Sequence, residues 1–182
     1  MKAKAHGSRA ASSIRASASS RRLLAVVGAA AVVVLAIPVT ASSAQFVWNV
    51  SPSAPGGLYR IERGNWNLGD RVAVLPSQDL AVDLAARGVL QNGKLLIKRV
   101  VAVVGDSACR VDTTVFVNDE AVAQARSNDS KGEPLPSWQG CTALNEGQVF
   151  LLGDTAGSYD GRYFGVTRAS EIVGRADLLR TF

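Results

Sequence analysis

The sequence predicts a mostly β domain with one short helix, preceded by one N-terminal transmembrane helix. Three observations predict this fold class. Short apolar stretches recur between residues 58 and 179, and clusters of Gly, Pro, Asn and Asp separate them, as in a chain of strands and turns. One stretch, residues 79–87, has apolar side chains at helical spacing and is followed by a glycine that ends it. An uncharged apolar run, residues 23–39, precedes them all and is just long enough to span a bilayer.

The apolar run predicts an export signal that is retained as an anchor. Arg21 and Arg22 abut its start, so the positive-inside rule keeps residues 1–22 in the cytoplasm as a basic tail. The chain stays uncharged to about Val50, and we assign residues 23–44 to the transmembrane anchor and residues 45–182 to an exported domain. The alternative is a signal peptide that is cleaved after the small residues near position 44. Both alternatives place the body outside the cytoplasm, and the first makes the lipid bilayer a partner.

The remaining elements follow from alternating side chains and turn residues. A hairpin is predicted at residues 111–122, with Asn118 and Asp119 at its turn. Asp106 and Asp154 each follow a glycine and are expected to be turn residues. The other predicted strands cover residues 58–61, 71–75, 94–104, 148–153 and 171–179, and a polar loop covers residues 126–140.

The distribution of charge argues against a nucleic-acid partner. The 182-residue chain has a net charge of +5, but residues 1–44 contain six basic side chains and no acidic one. Of the 20 Lys and Arg residues, 14 therefore remain in the body, against 15 Asp and Glu. A nearly neutral body has no broad positive surface for phosphate backbones.

The two cysteines fit an exported domain. Cys109 and Cys141 are an even pair, and in an oxidising compartment they are expected to form one disulfide. The alternative is two unpaired buried thiols. Neither cysteine has a CxxC partner or a histidine neighbour, so no metal site is predicted.

Lys98 is the first candidate for catalytic chemistry. It lies in the middle of the apolar stretch 94–104, where burial would lower its pKa and leave a neutral amine that can act as a base. The only histidine, His6, lies in the basic tail, so a Ser-His-Asp or Cys-His site in the body is excluded. A Ser-Lys pair is the known substitute. The alternative is a structural lysine whose amine reaches solvent.

Ser51 and Ser53 are the candidate nucleophiles. Both lie in a Pro- and Gly-rich turn directly after the apolar run, where the chain is exposed and constrained. A serine hydroxyl is a weak nucleophile unless an adjacent base removes its proton. Without Lys98 nearby, Ser53 would be an ordinary turn residue.

Four sequence boxes in register, at residues 49–59, 96–106, 134–141 and 153–165, resemble those of the TraF-like conjugal transfer peptidases, which belong to the signal peptidase I superfamily. Residues 49–59 (NVSPSAPGGLY) resemble the N-x-[ST]-x-S-x-P-x-G-x-Y box, and residues 96–106 (LIKRVVAVVGD) resemble the lysine box. Residues 134–141 (PLPSWQGC) are similar to a PLPxWxGC stretch of the TraF branch. Residues 153–165 resemble the final GD…SxDxRYxG box. The resemblance covers nearly all of residues 49–176.

The resemblance implies a role for each matching residue. Ser53 is implied as the nucleophile and Lys98 as the general base. Ser51 matches the position whose hydroxyl helps the Ser53 backbone N–H hold the oxyanion. Ser158 matches the residue that orients the lysine amine, although the last box is one residue shorter than in housekeeping signal peptidases.

Asp160 and Arg162 match an acid and a base of the same final box. We expect them to brace the site as a structural ion pair. In some TraF-like enzymes the acid is thought to take part more directly, so this alternative stays open.

The resemblance implies a β-rich serine endopeptidase in the bacterial inner membrane, with its catalytic domain in the periplasm and no cofactor. Its expected partner is an exported precursor protein, pilin-like or signal-peptide-bearing, which it cleaves or cyclises. Residues 107–147 are expected to form a cap-like insertion. The alternatives are a general type I signal peptidase, and a non-catalytic pilus-assembly scaffold with the same fold. The absence of an S-M-x-P pattern at Ser53-Ala54-Pro55 and the PLPxWxGC-like stretch favour the TraF branch.

Overall fold

The computed structural model describes residues 45–90 and 94–182. The predicted basic tail (1–22) and transmembrane anchor (23–44) lie outside these residues. Within the described ranges, no helix has the length and apolar character needed to cross a membrane.

Two antiparallel sheets form the framework of the described residues, which confirms the mostly β prediction. The larger has seven strands in the order β1-β2-β11-β3-β4-β9-β10, and the smaller has four in the order β7-β6-β5-β8. The strands are β1 (Gln45–Asn49), β2 (Gly57–Glu62), β3 (Arg71–Val74), β4 (Leu96–Ala102), β5 (Ser107–Val111), β6 (Thr114–Val117), β7 (Glu120–Gln124), β8 (Gly140–Ala143), β9 (Gln148–Leu152), β10 (Thr167–Arg168) and β11 (Ile172–Thr181).

The seven-stranded sheet is held by strands that alternate between buried and partly exposed residues. In β2, Tyr59 and Ile61 are almost fully buried, while the residues between them are partly exposed. β11 is the longest strand and lies inside the sheet, where it pairs with β2 on one side and with β3 on the other. Because successive side chains of a strand point to opposite faces of the sheet, one face of each strand lies in the core.

Two short α-helices and one turn of 3-10 helix (Ala169–Glu171) lie between the strands. The first, α1 (Gln78–Ala86), begins at Ser77, whose side chain accepts a hydrogen bond from the backbone N–H of Leu80. It ends before Gly88, which adopts a φ of 70° that favours glycine. α1 thus matches the predicted helix of residues 79–87 within one residue. The second, α2 (Gly161–Phe164), is a single turn.

The four-stranded sheet occupies residues 107–143, inside the segment predicted as a cap-like insertion. Its hairpin turns at Asn118 and Asp119, as predicted, and both residues have positive φ. The predicted Cys109–Cys141 disulfide is present and joins directly opposite residues of β5 and β8. The function of this sheet as a cap stays a prediction.

Five of the strands and α-helices were not predicted: β1, β5, β8, β10 and α2. β5 lies between the predicted turn at Asp106 and the hairpin predicted from residue 111. β1 falls within the uncharged run that continues to about Val50, and its exposed aromatic residues Phe46 and Trp48 hide the alternation that would identify a strand. β8 is exposed throughout, so it has no apolar pattern at all. β10 has two residues and α2 has four, so each covers only about one period and shows no repeating pattern.

Candidate active site

The turn between β1 and β2 carries Ser51 and Ser53. Ser53 is buried, with 7% of its surface exposed, whereas Ser51 is exposed. The two hydroxyl oxygens lie 3.0 Å apart, at hydrogen-bond distance. The backbone N–H of Ser53 also points towards Ser51 Oγ, at 3.4 Å. The carbonyl of Ser53 accepts a hydrogen bond of 2.8 Å from the backbone N–H of Asp154.

Lys98 lies on the buried face of β4, where only 2% of its surface is exposed. The pairing of β4 with β3 places it opposite Val72, inside the sheet. Burial lowers the pKa of Lys98 to about 8, since a charged amine loses its hydration there. The charge of Asp160 raises this pKa and that of Arg162 lowers it, and both effects are smaller than that of burial.

Ser158 accepts a hydrogen bond from Lys98 Nζ at 2.7 Å, in a buried environment. This close approach depends on Gly153, the residue after β9. A Cβ atom at position 153 would lie 1.9 Å from Ser158 Oγ and 3.0 Å from the carbonyl oxygen of Ser53. Gly153 therefore leaves the space in which the lysine box, the serine turn and the final box meet.

Asp160 and Arg162 form the buried ion pair expected from the sequence. Asp160 is fully buried, and its carboxylate accepts hydrogen bonds from Arg162 Nη1, from the backbone N–H of Arg162 at 3.0 Å and from that of Gly153 at 2.6 Å. The same side chain caps the start of α2. Arg162 Nη1 also donates to the carbonyl of Ser158 at 3.3 Å. The pair thus fixes the backbone on both sides of Ser158.

Asp154 is more than the turn residue expected from the sequence. Its carboxylate forms ion pairs with Arg71 of β3 at 2.8 Å and with Arg99 of β4 at 3.1 Å. These two arginines are directly opposite each other in the sheet, so an anion between them relieves their repulsion. Through its backbone N–H, Asp154 then holds the carbonyl of Ser53. Sequence alone could not reveal this contact, because it depends on the register of β3 and β4.

Tyr159 connects the same segment to α1. Its hydroxyl donates a short hydrogen bond to Asp83, and the guanidinium of Arg87 lies 5.7 Å from the centre of its ring. Burial raises the pKa of Tyr159, so its hydroxyl stays protonated and remains a donor. Its ring stacks on that of Tyr163, and both belong to the hydrophobic core.

The four-stranded sheet contacts the site through α2. Arg110 is buried on β5 and donates a 2.6 Å hydrogen bond to the carbonyl of Arg162. The indole N–H of Trp138 donates to the carbonyl of Gly161 at 2.9 Å. Trp138 belongs to the PLPxWxGC-like stretch, and this bond connects that stretch to the first residue of α2.

Ser53, Lys98 and Ser158 all line one open groove of about 990 Å³. One part of its wall comes from β1 and the serine turn, and another from residues 94–98 and the end of α1; most of the lining is apolar. The structure therefore brings the predicted nucleophile, base and orienting serine together in one place. No hydrogen bond joins Ser53 Oγ to Lys98 Nζ directly, because the Ser53 hydroxyl faces Ser51 and the amine faces Ser158. In residues 45–90 and 94–182, no three His, Cys, Asp or Glu side chains converge as a metal site requires.

Comparison with known proteins supports the resemblance seen in the four boxes. The model of the family "Signal peptidase, peptidase S26" matches residues 19–180. A probable conjugal transfer protein TraF of Sinorhizobium fredii is 34% identical over 147 residues, which cover 74% of this chain and 76% of the relative. The conjugal transfer protein TraF of Agrobacterium fabrum is 32% identical over 174 residues, which cover 90% of this chain and 98% of that relative. A plasmid transfer protein TraF of Escherichia coli is 32% identical over 136 residues, which cover 69% of this chain and 77% of that relative. A signal peptidase I of Enterococcus faecalis of known crystal structure aligns with a TM-score of 0.37 at 22% identity, covering 63% of this chain and 98% of that one.

Proposed function

Because the chain belongs to the signal peptidase family, peptidase S26, we propose that it is a membrane-anchored serine endopeptidase with a Ser53–Lys98 dyad. One observation carries the proposal more than any other. Lys98 is a buried amine with a pKa of about 8, and it lines the same groove as a buried serine in a constrained turn. A lysine of this kind is partly neutral near physiological pH, as a general base must be.

The first step is the attack of Ser53 on the scissile carbonyl. Neutral Lys98 takes the hydroxyl proton while Ser53 Oγ forms a bond to the carbonyl carbon. For this, the Ser53 hydroxyl moves from its present partner Ser51 towards the amine. Such catalytic hydrogen bonds often form only when substrate is bound. Ser158 holds the amine in place through its 2.7 Å hydrogen bond.

The negative charge that develops on the carbonyl oxygen needs donors. We assign this task to the backbone N–H of Ser53 and the hydroxyl of Ser51, which lie side by side at the edge of the groove. Loss of one such donor typically costs about 2.7–4 kcal/mol of transition-state stabilisation.

Collapse of this intermediate breaks the peptide bond. The protonated Lys98 gives its proton to the leaving amine, and an ester of Ser53 remains. Water, or an amine of the substrate itself, then attacks the ester with Lys98 again as base. The first route gives hydrolysis and the second a cyclic product.

The Asp160–Arg162 pair acts as a brace in this proposal. Asp160 is fully buried, does not line the groove, and accepts three hydrogen bonds from Arg162 and Gly153. Its charge nevertheless raises the pKa of Lys98, so it helps to set the pH range of activity.

The substrate we propose is an exported precursor bound as an extended segment. β1 is an edge strand of the seven-stranded sheet and forms part of the groove wall, so an extended peptide can pair with an exposed backbone edge there. Relatives named as conjugal transfer proteins favour a conjugation-related precursor such as a pilin. The predicted anchor directly precedes β1 and would hold the groove at the periplasmic face of the inner membrane.

The test is the processing of an exported pilin-like precursor in membranes by the full-length protein and its Ser53→Ala and Lys98→Ala variants. We expect processing to stop in both, and the precursor to accumulate. If both variants process as well as the wild type, the dyad is wrong and a scaffold role is favoured. Rescue of a strain depleted of its own signal peptidase would instead favour a general type I signal peptidase.

A further inference from the structure

We infer that Asn49 is a positioning residue that holds the serine turn in its reactive shape. The inference rests on the proposed function of Ser53. Asn49 is the last residue of β1 and is buried, with 8% of its surface exposed. Its amide nitrogen lies 3.0 Å from the carbonyl oxygens of Ser51 and Ala54 and 3.1 Å from that of Pro55. Its side-chain oxygen accepts the backbone N–H of Ser51 at 3.1 Å.

These contacts connect both ends of the turn to one side chain. Ser51 precedes the proposed nucleophile by two residues, and Ala54 and Pro55 follow it directly. Asn49 itself is fixed by strand pairing, since it lies opposite Gly57 at the start of β2. A single amide therefore sets the path of the backbone around Ser53.

The contacts also direct the carbonyl groups of the turn. Asn49 binds the carbonyl oxygens of residues 51, 54 and 55, and Tyr59 Oη donates a second hydrogen bond of 2.8 Å to the last of them. The backbone N–H of Asp154 binds the carbonyl of Ser53. The negative ends of these peptide dipoles are thus turned towards donors within the protein. The space next to the Ser53 N–H, where the oxyanion would form, is kept free of these carbonyl oxygens, as electrostatic preorganisation requires.

A positioning role differs measurably from a merely structural one. Asn49→Ala removes the amide but leaves Ser51, Ser53, Lys98 and Ser158 in the chain. Misplacement of a reacting group by about 1 Å can cost roughly 100-fold in rate, so we expect kcat to fall roughly 10- to 100-fold. We expect KM and the pH midpoint set by Lys98 to stay as in the wild type, because neither depends on the turn carbonyls.

The experiment measures kcat, KM and the pH profile of the full-length protein and its Asn49→Ala and Asn49→Asp variants in detergent. Rates are divided by the number of active sites, titrated to completion with a covalent serine-directed phosphonate. Asn49→Asp keeps an oxygen for the Ser51 N–H but lacks the donors, so it should be at least as slow as Asn49→Ala. Asn128→Ala is the matched control, since the amide of Asn128 also binds a loop carbonyl, that of Gly132, at 2.7 Å.

Three outcomes decide the matter. A fall in kcat per titrated site in both Asn49 variants, with the Asn128→Ala variant unchanged, supports the inference. Wild-type kcat per site in the Asn49 variants, or a loss explained entirely by fewer titrated sites, overturns it. The Ser53→Ala variant, assayed in parallel, separates this failure from that of the proposed function. If that variant keeps its activity, the dyad itself is wrong.

Discussion

Ser158 Oγ accepts a hydrogen bond of 2.7 Å from Lys98 Nζ, although 60 residues separate the two in the sequence. The partner of the buried amine is thus a neutral hydroxyl and not a carboxylate. A carboxylate at this distance would stabilise the charged amine and raise its pKa, whereas a hydroxyl accepts a hydrogen bond from either protonation state. This explains how Lys98 can be both fixed in position and easily deprotonated.

The first prediction is the pH dependence of the proposed peptidase. The active form of Lys98 is the neutral amine, and its pKa is about 8, so kcat/KM should rise with pH and reach half its maximum near pH 8. Well below this midpoint the rate should fall about tenfold for each pH unit. Cleavage of a precursor peptide between pH 6 and pH 10 measures the profile. A flat profile over this range would contradict Lys98 as the base.

The second prediction concerns the two charges next to Lys98. The charge of Asp160 raises the pKa of Lys98 and that of Arg162 lowers it. Asp160→Asn should therefore move the pH midpoint below 8, and Arg162→Met should move it above 8. Each change leaves a buried charge without its partner and should also lower the free energy of unfolding by roughly 3–5 kcal/mol.

The pH profiles are therefore measured on the folded fraction of each variant, at a temperature well below its unfolding transition. Shifts in the same direction would contradict the electrostatic assignment. Complete loss of activity at every pH in folded Asp160→Asn, with activity kept in Arg162→Met, would favour a direct catalytic role for the acid.

The third prediction is that the proposed base destabilises the fold. The pKa of Lys98 is about 8 in the folded chain and about 10.4 in an unfolded one. Between these values the unfolded chain binds a proton that the folded chain does not, so the free energy of unfolding rises with pH. Below pH 8 both states are protonated, and the burial of the charged amine costs about 3 kcal/mol.

Lys98→Met removes this cost while it keeps the shape of the side chain. At pH 7 the variant should be inactive but more stable than the wild type. The gain should be about 1–3 kcal/mol, because the loss of the hydrogen bond to Ser158 offsets part of the cost that is removed. The difference should shrink as pH rises from 8 to 10. Urea unfolding at pH 7 and pH 10 measures it, and a variant less stable than the wild type at pH 7 would refute the argument.

The fourth prediction uses two glycines of the final box. A Cβ atom on Gly153 would lie 1.9 Å from Ser158 Oγ, whereas one on Gly157 would have no neighbour within 4 Å. Gly153→Ala should displace Ser158 from the amine and reduce kcat/KM at least 100-fold, a loss of about 3 kcal/mol of transition-state stabilisation. Gly157→Ala, four residues away, should keep nearly wild-type activity. Equal rates for the two variants would show that the contact between Gly153 and Ser158 is not needed.

The sequence predicted the strand and helix positions where side-chain patterns are strong. Lys98 was identifiable because a lysine, followed by Arg99, interrupts an apolar stretch, and the hairpin because Asn118 and Asp119 favour turns. β1 was missed because its exposed residues are aromatic. Phe46 and Trp48 are apolar but exposed, so the exposure of successive residues in β1 does not follow their polarity.

The contacts of the site were harder to predict, because they join distant parts of the chain. Asp154 had only its preceding glycine as a local signal, yet its partners Arg71 and Arg99 become neighbours only in the paired sheet. Asn49 did carry a local signal. An asparagine two residues before a serine favours an Asx turn, and its side-chain oxygen does bind the backbone N–H of Ser51.

The position of Lys98 in β4 limits which deletions the sequence can tolerate. Lys98 and its neighbour Arg99 point to opposite faces, one into the core and the other towards Asp154. A slip of β4 by one residue would exchange them, and a permanently charged guanidinium would replace the titratable amine inside the sheet. A deletion in the segment that connects β3 to Lys98, which includes α1, must leave the pairing of β3 with β4 unchanged if the amine is to stay inside the sheet. The register of a single strand therefore decides whether the proposed base, Lys98, lies inside the sheet.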